Sequence, residues 1–302
     1  LRELITKSSL HTEAQLSSLT EEGFNSKDIN QFESYGFKFY EGKVRQCLKK
    51  EDKIFLCHTD RLSAFDRIVG HLPGKGSMLS QISSFWFEKL EREGIATAFS
   101  KTHGSRIIEQ EALEPIPMEM ICRAFFAGSL VKARNEGKTT ICGVKVPLNL
   151  KPFEAFETPI LTPTTKAAVG EHDEPMSPEE LIKAQIINEK EWEFLASTSL
   201  RIFELGTKVY KEHGWILADT KYEFGRAKDG SIKLMDEVHT PDSSRLWFAE
   251  NYKENFEKGK TPKMFDKEKI RRYLRSKGYE GEGPIPQIPR RELLDLAKSF
   301  KN

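Results

Sequence analysis

Apolar positions change period several times along the chain, and each change predicts an element. Phe37–Leu48 and Lys53–His58 read as strands joined by the polar Lys49–Asp52 turn. From Ser77 to Glu93 the apolar residues Met78, Leu79, Ile82, Phe85, Trp86 and Leu90 recur at helical spacing. Met118–Phe126 reads as a buried strand, after Pro115 and Pro117 mark a domain boundary. Ser177 and Pro178, with Glu179 and Glu180 behind them, open a helical pattern that runs with a break to His213. Two strands are then predicted, Trp215–Phe224 and Ser231–Val238. At the two ends, residues 1–34 predict one or two short helices with Thr20 as an N-cap ahead of Glu21 and Glu22. Asp266–Lys301 predicts two helices around a Gly/Pro loop at 278–289. Residues 137–178 are rich in Pro, Thr and Gly and show little periodicity, as a long functional loop would.

Composition narrows the function class. Lys and Arg number 47 against 46 Asp and Glu, a formal charge of +1. A nucleic-acid binder needs an excess of positive charge to displace counterions, so nucleic acid is not an expected partner. The basic stretch Lys253–Arg275 is interleaved with acids and reads as a solvated helix face. Cys47, Cys57, Cys122 and Cys142 form neither a CxxC pair nor a zinc-finger spacing, so they read as reduced core residues in a cytoplasmic protein. No apolar run approaches a membrane span, and Leu1–Leu10 does not read as a secretory signal.

The chemistry concentrates near the end. In a strand over 216–224, Asp219, Lys221 and Glu223 share one face. With Asp229-Gly230 as a two-residue hairpin turn, Glu223 falls opposite Asp236 on the next strand. Two carboxylates about 5 Å apart repel unless a cation lies between them, and Mg2+ held with phosphate oxygens answers that need. Upstream, Gly42 permits close backbone approach, and Lys43 and Arg45, two apart, project from one strand face toward a polyphosphate. Asp60, Arg61, Ser63 and Asp66 follow a strand end. Arg123 with Gly128-Ser129, and Arg245 in the run Asp242–Arg245, add guanidinium groups and a small-residue turn suited to phosphate. Thr162–Lys166 and Gly170–Glu174 suggest a substrate lid.

Taken in order, GKVR at 42–45, TDRLSAFD at 59–66, PGKG at 73–76, RAFFAGS at 123–129, TPTTKA at 162–167 with GEHDE at 170–174, ADTKYEFG at 218–225 and DEVHTPDSSRLW at 236–247 resemble the SAICAR synthetase family. The resemblance is to its longer, single-function form and runs from about Phe39 to Arg275. It implies an ATP- and Mg2+-dependent ligase of de novo purine biosynthesis, joining the carboxylate of the aminoimidazole ribotide CAIR to the amine of L-aspartate through an acyl phosphate.

The implied fold is α+β and ATP-grasp-like, with nucleotide between two domains. The implied layout is a helical extension at 1–34, a small antiparallel β domain at 35–116 and a larger α+β domain at 117–302. By resemblance, Gly42, Lys43 and Arg45 hold the ATP phosphates, Glu119 stands near the adenine, and Glu223 and Asp236 ligate Mg2+. CAIR falls to Ser63, Asp66, Arg123, Ser129, Asp219, Lys221, Arg245 and Arg271; Lys43, Arg45, Asp219 and Lys221 are the implied catalytic set. A small-molecule kinase would share the lysine and the carboxylates without needing Ser129, Arg245 and the 162–166 loop together. A non-catalytic nucleotide-binding module would be expected to lack one of the metal carboxylates.

Overall fold

The computed structural model describes residues 23–65, 67–166, 173–264, 268–289 and 291–293. Thr20, Asp66 and most of the Gly170–Glu174 motif therefore lie outside the described residues. The chain divides into two compact units, the first from 1–93, 97–113 and 267–302, the second from 94–96 and 114–266.

The first unit begins with α1 (Ser26–Ser34). Asn25 caps it, accepting from the backbone of Lys27 and Asp28 while Asp28 reaches back to the Asn25 amide. Strands β1 (Lys38–Glu41), β2 (Arg45–Lys50) and β3 (Lys53–His58) follow, then the β4 (Arg61–Ala64) and β5 (Arg67–His71) hairpin. Helix α2 (Lys75–Arg92) buries Leu79, Trp86, Phe87 and Leu90. Strands β6 (Phe99–His103) and β7 (Ile107–Glu111) complete an antiparallel sheet ordered β1-β2-β3-β7-β6. Its core gathers Phe24, Phe32, Leu48, Phe55, Cys57 and Ile107.

The second unit is built around one long strand. It opens with β8 (Glu114–Pro115), β9 (Met118–Phe125), the short helix α3 (Ser129–Asn135) and the β10 (Thr140–Ile141) and β11 (Val144–Lys145) pair. Strands β12 (Ala155–Leu161) and β13 (Thr164–Thr165) both return along β9. The helical run predicted from Ser177 appears as α4 (Pro178–Lys183) and α5 (Glu189–Glu212), each started by a capping box, Ser177 with Glu180 and Asn188 with Glu191. Then comes β14 (Trp215–Arg226), which pairs with β9, β8, β15 (Ile232–Met235) and β16 (Ser244–Phe248), all antiparallel. Helix α5 covers β14 and β9 with Leu195, Ile202 and Phe203. After α6 (Tyr252–Glu257), the chain supplies α7 (Glu268–Ser276) to the first unit, where Ile270, Leu274, Tyr279 and Ile288 join Leu62, Ala64, Val69 and Leu72 in one apolar cluster.

Three expectations need correction. The stretch 137–178 is not a structureless loop: four short strands run through it, hidden because β12 is largely exposed and lacks a clean alternation. The strand predicted over Phe37–Leu48 is broken at 42–44, so Lys43 sits in the bend between β1 and β2, off any strand face. The β14–β15 hairpin is one residue out of the expected register. Glu223 pairs with Met235, not Asp236, because the loop holds three residues closed by Ala227 N–H donating to Ser231 O at 2.8 Å. Gly230, at φ +84°, takes the left-handed position such a loop requires.

Candidate active site

Strand β14 carries two adjacent charge clusters. The first is centred on Asp219. Sheet register sets Arg123 of β9 on one side of it and Arg245 of β16 on the other. Arg123 Nη1 donates to Asp219 Oδ2 at 3.2 Å, and Arg245 Nη1 bonds the same oxygen. Arg123 also donates through Nε to Thr162 Oγ1 at 2.7 Å and through Nη2 to Ser129 Oγ at 3.0 Å. Every arm of this guanidinium is thus directed by a partner. Burial lowers the Arg123 pKa from its ordinary value and Asp219 partly restores it. Gly128 lies flat beneath Arg245: a Cβ there would stand 2.5 Å from Arg245 Nη2.

The second cluster begins two residues further along. Lys221 Nζ bonds Glu119 Oε1 on β9 and lies 3.3 Å from Glu223 Oε1. Lys166, just past β13, bonds the other oxygen, Glu223 Oε2. Asp236 acts on both ammonium groups. Burial disfavours the charged form of Lys221, but Glu223, Glu119 and Asp236 outweigh it and push its pKa up. Lys166 is raised in the same way by Glu223 and Asp236 against the cost of burial. Burial and the nearby Glu223 charge raise Glu119, with Lys221 opposing.

The one-residue register slip would ordinarily turn Asp236 to the far side of the sheet. Asp236 lies beyond the end of β15 at φ +72°, outside the strand's alternation, and its charge acts on both lysines. The pairing geometry expected from the sequence is therefore wrong, though the Asp236 charge still acts on the two lysines that hold Glu223. Among the described residues, Lys221 and Lys166 meet Glu119, Glu223 and Asp236, with Asp173 also acting on Glu119, so carboxylates outnumber ammonium groups here. Among the described residues no three His, Cys, Asp or Glu side chains close round one point as a metal cage. Two hard oxygen ligands completed by phosphate and water are nevertheless what Mg2+ takes, so the donor set fits that ion.

The remaining expected residues lie in the first unit. Gly42 N–H donates to Arg45 O at 2.8 Å, and a Cβ on Gly42 would sit 3.0 Å from that oxygen. The turn itself is reason enough for this glycine. Arg61 braces the turn by donating to Gly42 O at 3.0 Å and pairing with Glu41. Lys43 is exposed and Arg45 half-buried. Asp60 is a structural anchor: it takes the amides of Gly74 and Gly76 at 2.9 Å each, capping α2, and pairs with Arg106 at 2.7 Å. Ser63 stands on β4 and Arg271, half-buried, on α7. The sequence had not singled out Lys166 and Thr162 as individual site residues, nor joined Glu119 to the metal carboxylates. Glu119 and Lys221 are 102 positions apart and Lys166 and Glu223 are 57 apart, distances no local pattern spans.

An antiparallel α/β fold that sets a guanidinium pair beside a carboxylate cluster is of the class able to bind anionic, phosphate-bearing ligands. The family profile described as SAICAR synthetase matches residues 38–286. A phosphoribosylaminoimidazole-succinocarboxamide synthase of Vigna aconitifolia chloroplasts is 40% identical over 254 residues, covering 82% of this chain and 73% of the relative. That of Flavobacterium psychrophilum is 36% identical, covering 86% and 84%. The solved SAICAR synthase of Saccharomyces cerevisiae in complex with SAICAR superposes with a TM-score of 0.75 at 28% identity, covering 87% of this chain and 92% of that one. A type-2 SAICAR synthetase in complex with ADP gives 0.66 at 27%, covering 83% and 100%. The chain belongs to the SAICAR synthetase family. Its relatives are ATP-dependent ligases of purine biosynthesis.

Proposed function

We propose that this chain joins CAIR to L-aspartate with cleavage of ATP to ADP and phosphate, giving SAICAR. The single observation that carries the site assignment is the pair of clusters on β14, one rich in guanidinium, the other with more carboxylates than ammonium groups. A carboxylate is a poor acyl donor because oxide is a poor leaving group. In the proposed course the CAIR carboxylate oxygen attacks the γ-phosphorus, the bond to ADP breaks, and an acyl phosphate forms. The aspartate nitrogen then attacks the acyl carbon, phosphate departs, and the nitrogen loses a proton.

The chain's part is positioning and charge neutralisation. Arg123 and Arg245, aligned by Asp219, present their guanidinium groups to the anionic ribotide, with Ser129 beside Arg123 as a phosphate donor. Lys221 stays protonated between its carboxylates and faces the transferring phosphoryl group. Glu223 and Asp236 would hold Mg2+, which when bound neutralises the polyphosphate. From the family resemblance, Lys43 and Arg45 of the first unit take ATP phosphates, an ATP-grasp-like division of labour. Ser63, Asp66 and Arg271 are assigned to the substrates on the same basis.

ADP release measured with CAIR, with and without L-aspartate, tests the reading. Release that depends on both substrates supports the ligase; release with CAIR alone at the full rate indicates a kinase. Glu223→Gln is expected to lower turnover at least about 100-fold with the fold intact by circular dichroism. Turnover like the unaltered enzyme at saturating Mg2+ removes Glu223 from the metal site.

A further inference from the structure

Both oxygens of Glu223 are already taken by ammonium groups, Oε1 by Lys221 and Oε2 by Lys166. Each oxygen keeps a second lone pair, so a divalent cation can reach this carboxylate, but it arrives against the charge of the two ammonium groups already there. The two lysines are not held alike. Lys221 projects from the middle of β14, bonded to Glu119 as well as Glu223, with 32% of its side chain exposed. Lys166 follows the two-residue strand β13, anchored by its amide to Pro117 O at 3.1 Å, and 42% of its side chain is exposed. Its stem can swing into water without breaking the sheet.

We propose that Lys166 is a counter-ion of Glu223 and surrenders that carboxylate when a divalent cation binds. The inference rests on the assignment of Glu223 as a metal ligand. It adds a regulatory consequence: the Thr162–Lys166 segment becomes sensitive to metal occupancy. Thr162 accepts the Arg123 hydrogen bond, so this segment also borders the guanidinium cluster. Lys221 already neutralises part of the charge of Glu223 and Glu119, and Lys166 supplies a second ammonium to the same Glu223. Once a divalent cation arrives, keeping the Lys166 ammonium in place would set like charges against one another across a single carboxylate.

Binding of Mn2+ alone, followed by the loss of its free electron-paramagnetic-resonance signal, tests this without turnover. Lys166→Gln is expected to tighten Mn2+ binding about tenfold, the scale of removing one like charge at contact distance in partly screened surroundings. Lys166→Arg is expected to stay near the unaltered protein, and Glu223→Gln to lose the site. Unchanged or weaker Mn2+ binding in Lys166→Gln, with the site lost in Glu223→Gln, overturns the counter-ion role and leaves the metal assignment standing. Undiminished binding in Glu223→Gln overturns both. A second measurement follows the reductive methylation rate of Lys166 by mass spectrometry. The rate is expected to rise several-fold at saturating Mn2+, and an unchanged rate overturns the exchange.

Discussion

Arg245 and the glycine beneath it show how narrowly the proposed substrate cradle is set. Gly128 has φ +61°, and a methyl group there would overlap the Arg245 guanidinium. Gly128→Ala is therefore expected to push Arg245 off Asp219 and raise the KM for CAIR about tenfold or more, with kcat less affected. Steady-state kinetics over a CAIR series measures that split. Arg245→Lys keeps the charge and loses the planar fork, so a rise of similar size is expected; an unchanged KM assigns Arg245 to structure alone. His239, on the other side of β14, makes a separate prediction. It is fully buried, shares a hydrogen bond with the Tyr222 hydroxyl at 2.6 Å, and burial brings its pKa down to about 3 from 6.5. The unfolded chain thus takes up a proton below pH 6.5 that the folded chain refuses. Stability is complete above that pH and falls by about 1.4 kcal/mol per unit as pH drops toward 3. Urea melts from pH 7 to 4 should show this decline, reduced in His239→Gln.

At the scale of elements, the β14–β15 hairpin shows what the sequence discloses and what it withholds. Alternation marked the first strand and the start of the second, which ends at Met235 and not at Val238, and it put Asp219, Lys221 and Glu223 on one face. The loop was misjudged because Asp229-Gly230 suits a two-residue turn, whereas here Gly230 closes a three-residue one, with Asp229 accepting from Ser231 N–H at 2.9 Å. One residue of slip then passed undetected, and the left-handed backbone at Asp236 has no signature in periodicity. Gly230→Val forces a branched side chain into the left-handed region and is expected to cost about 1–2 kcal/mol. A calorimetric melt measures the loss. The start of α4 at Ser177 was readable because it is local, whereas the equally local Asn188 cap of α5 went unread inside a helical pattern taken as one run. The strands between 137 and 166 were not readable: β10 and β11 pair only with each other over two residues apiece, and β12 and β13 take their order from the distant β9.

For the whole molecule, the apolar surface of α7 matters beyond its length. Ile270 and Leu274 are fully buried with Leu62, and Arg67 donates to Gly281 O from 214 positions away. Such pairings are invisible to a windowed reading of sequence. Leu274→Ala is expected to remove about 2–4 kcal/mol of stability, read from denaturant midpoints. No described helix is long and apolar enough to cross a membrane.

The return of α7 to strands made near the beginning also fixes an order of events during synthesis. The ribosome releases β1 to β7 long before it releases the residues that complete their second apolar cluster. The segment 114–264 can close as soon as it emerges, while the earlier segment waits with Leu62, Val69 and Leu72 uncovered. Nascent chains arrested near residue 265 should yield a protease-resistant later fragment and a digestible earlier one. That exposed interval is where a chaperone would have its opening.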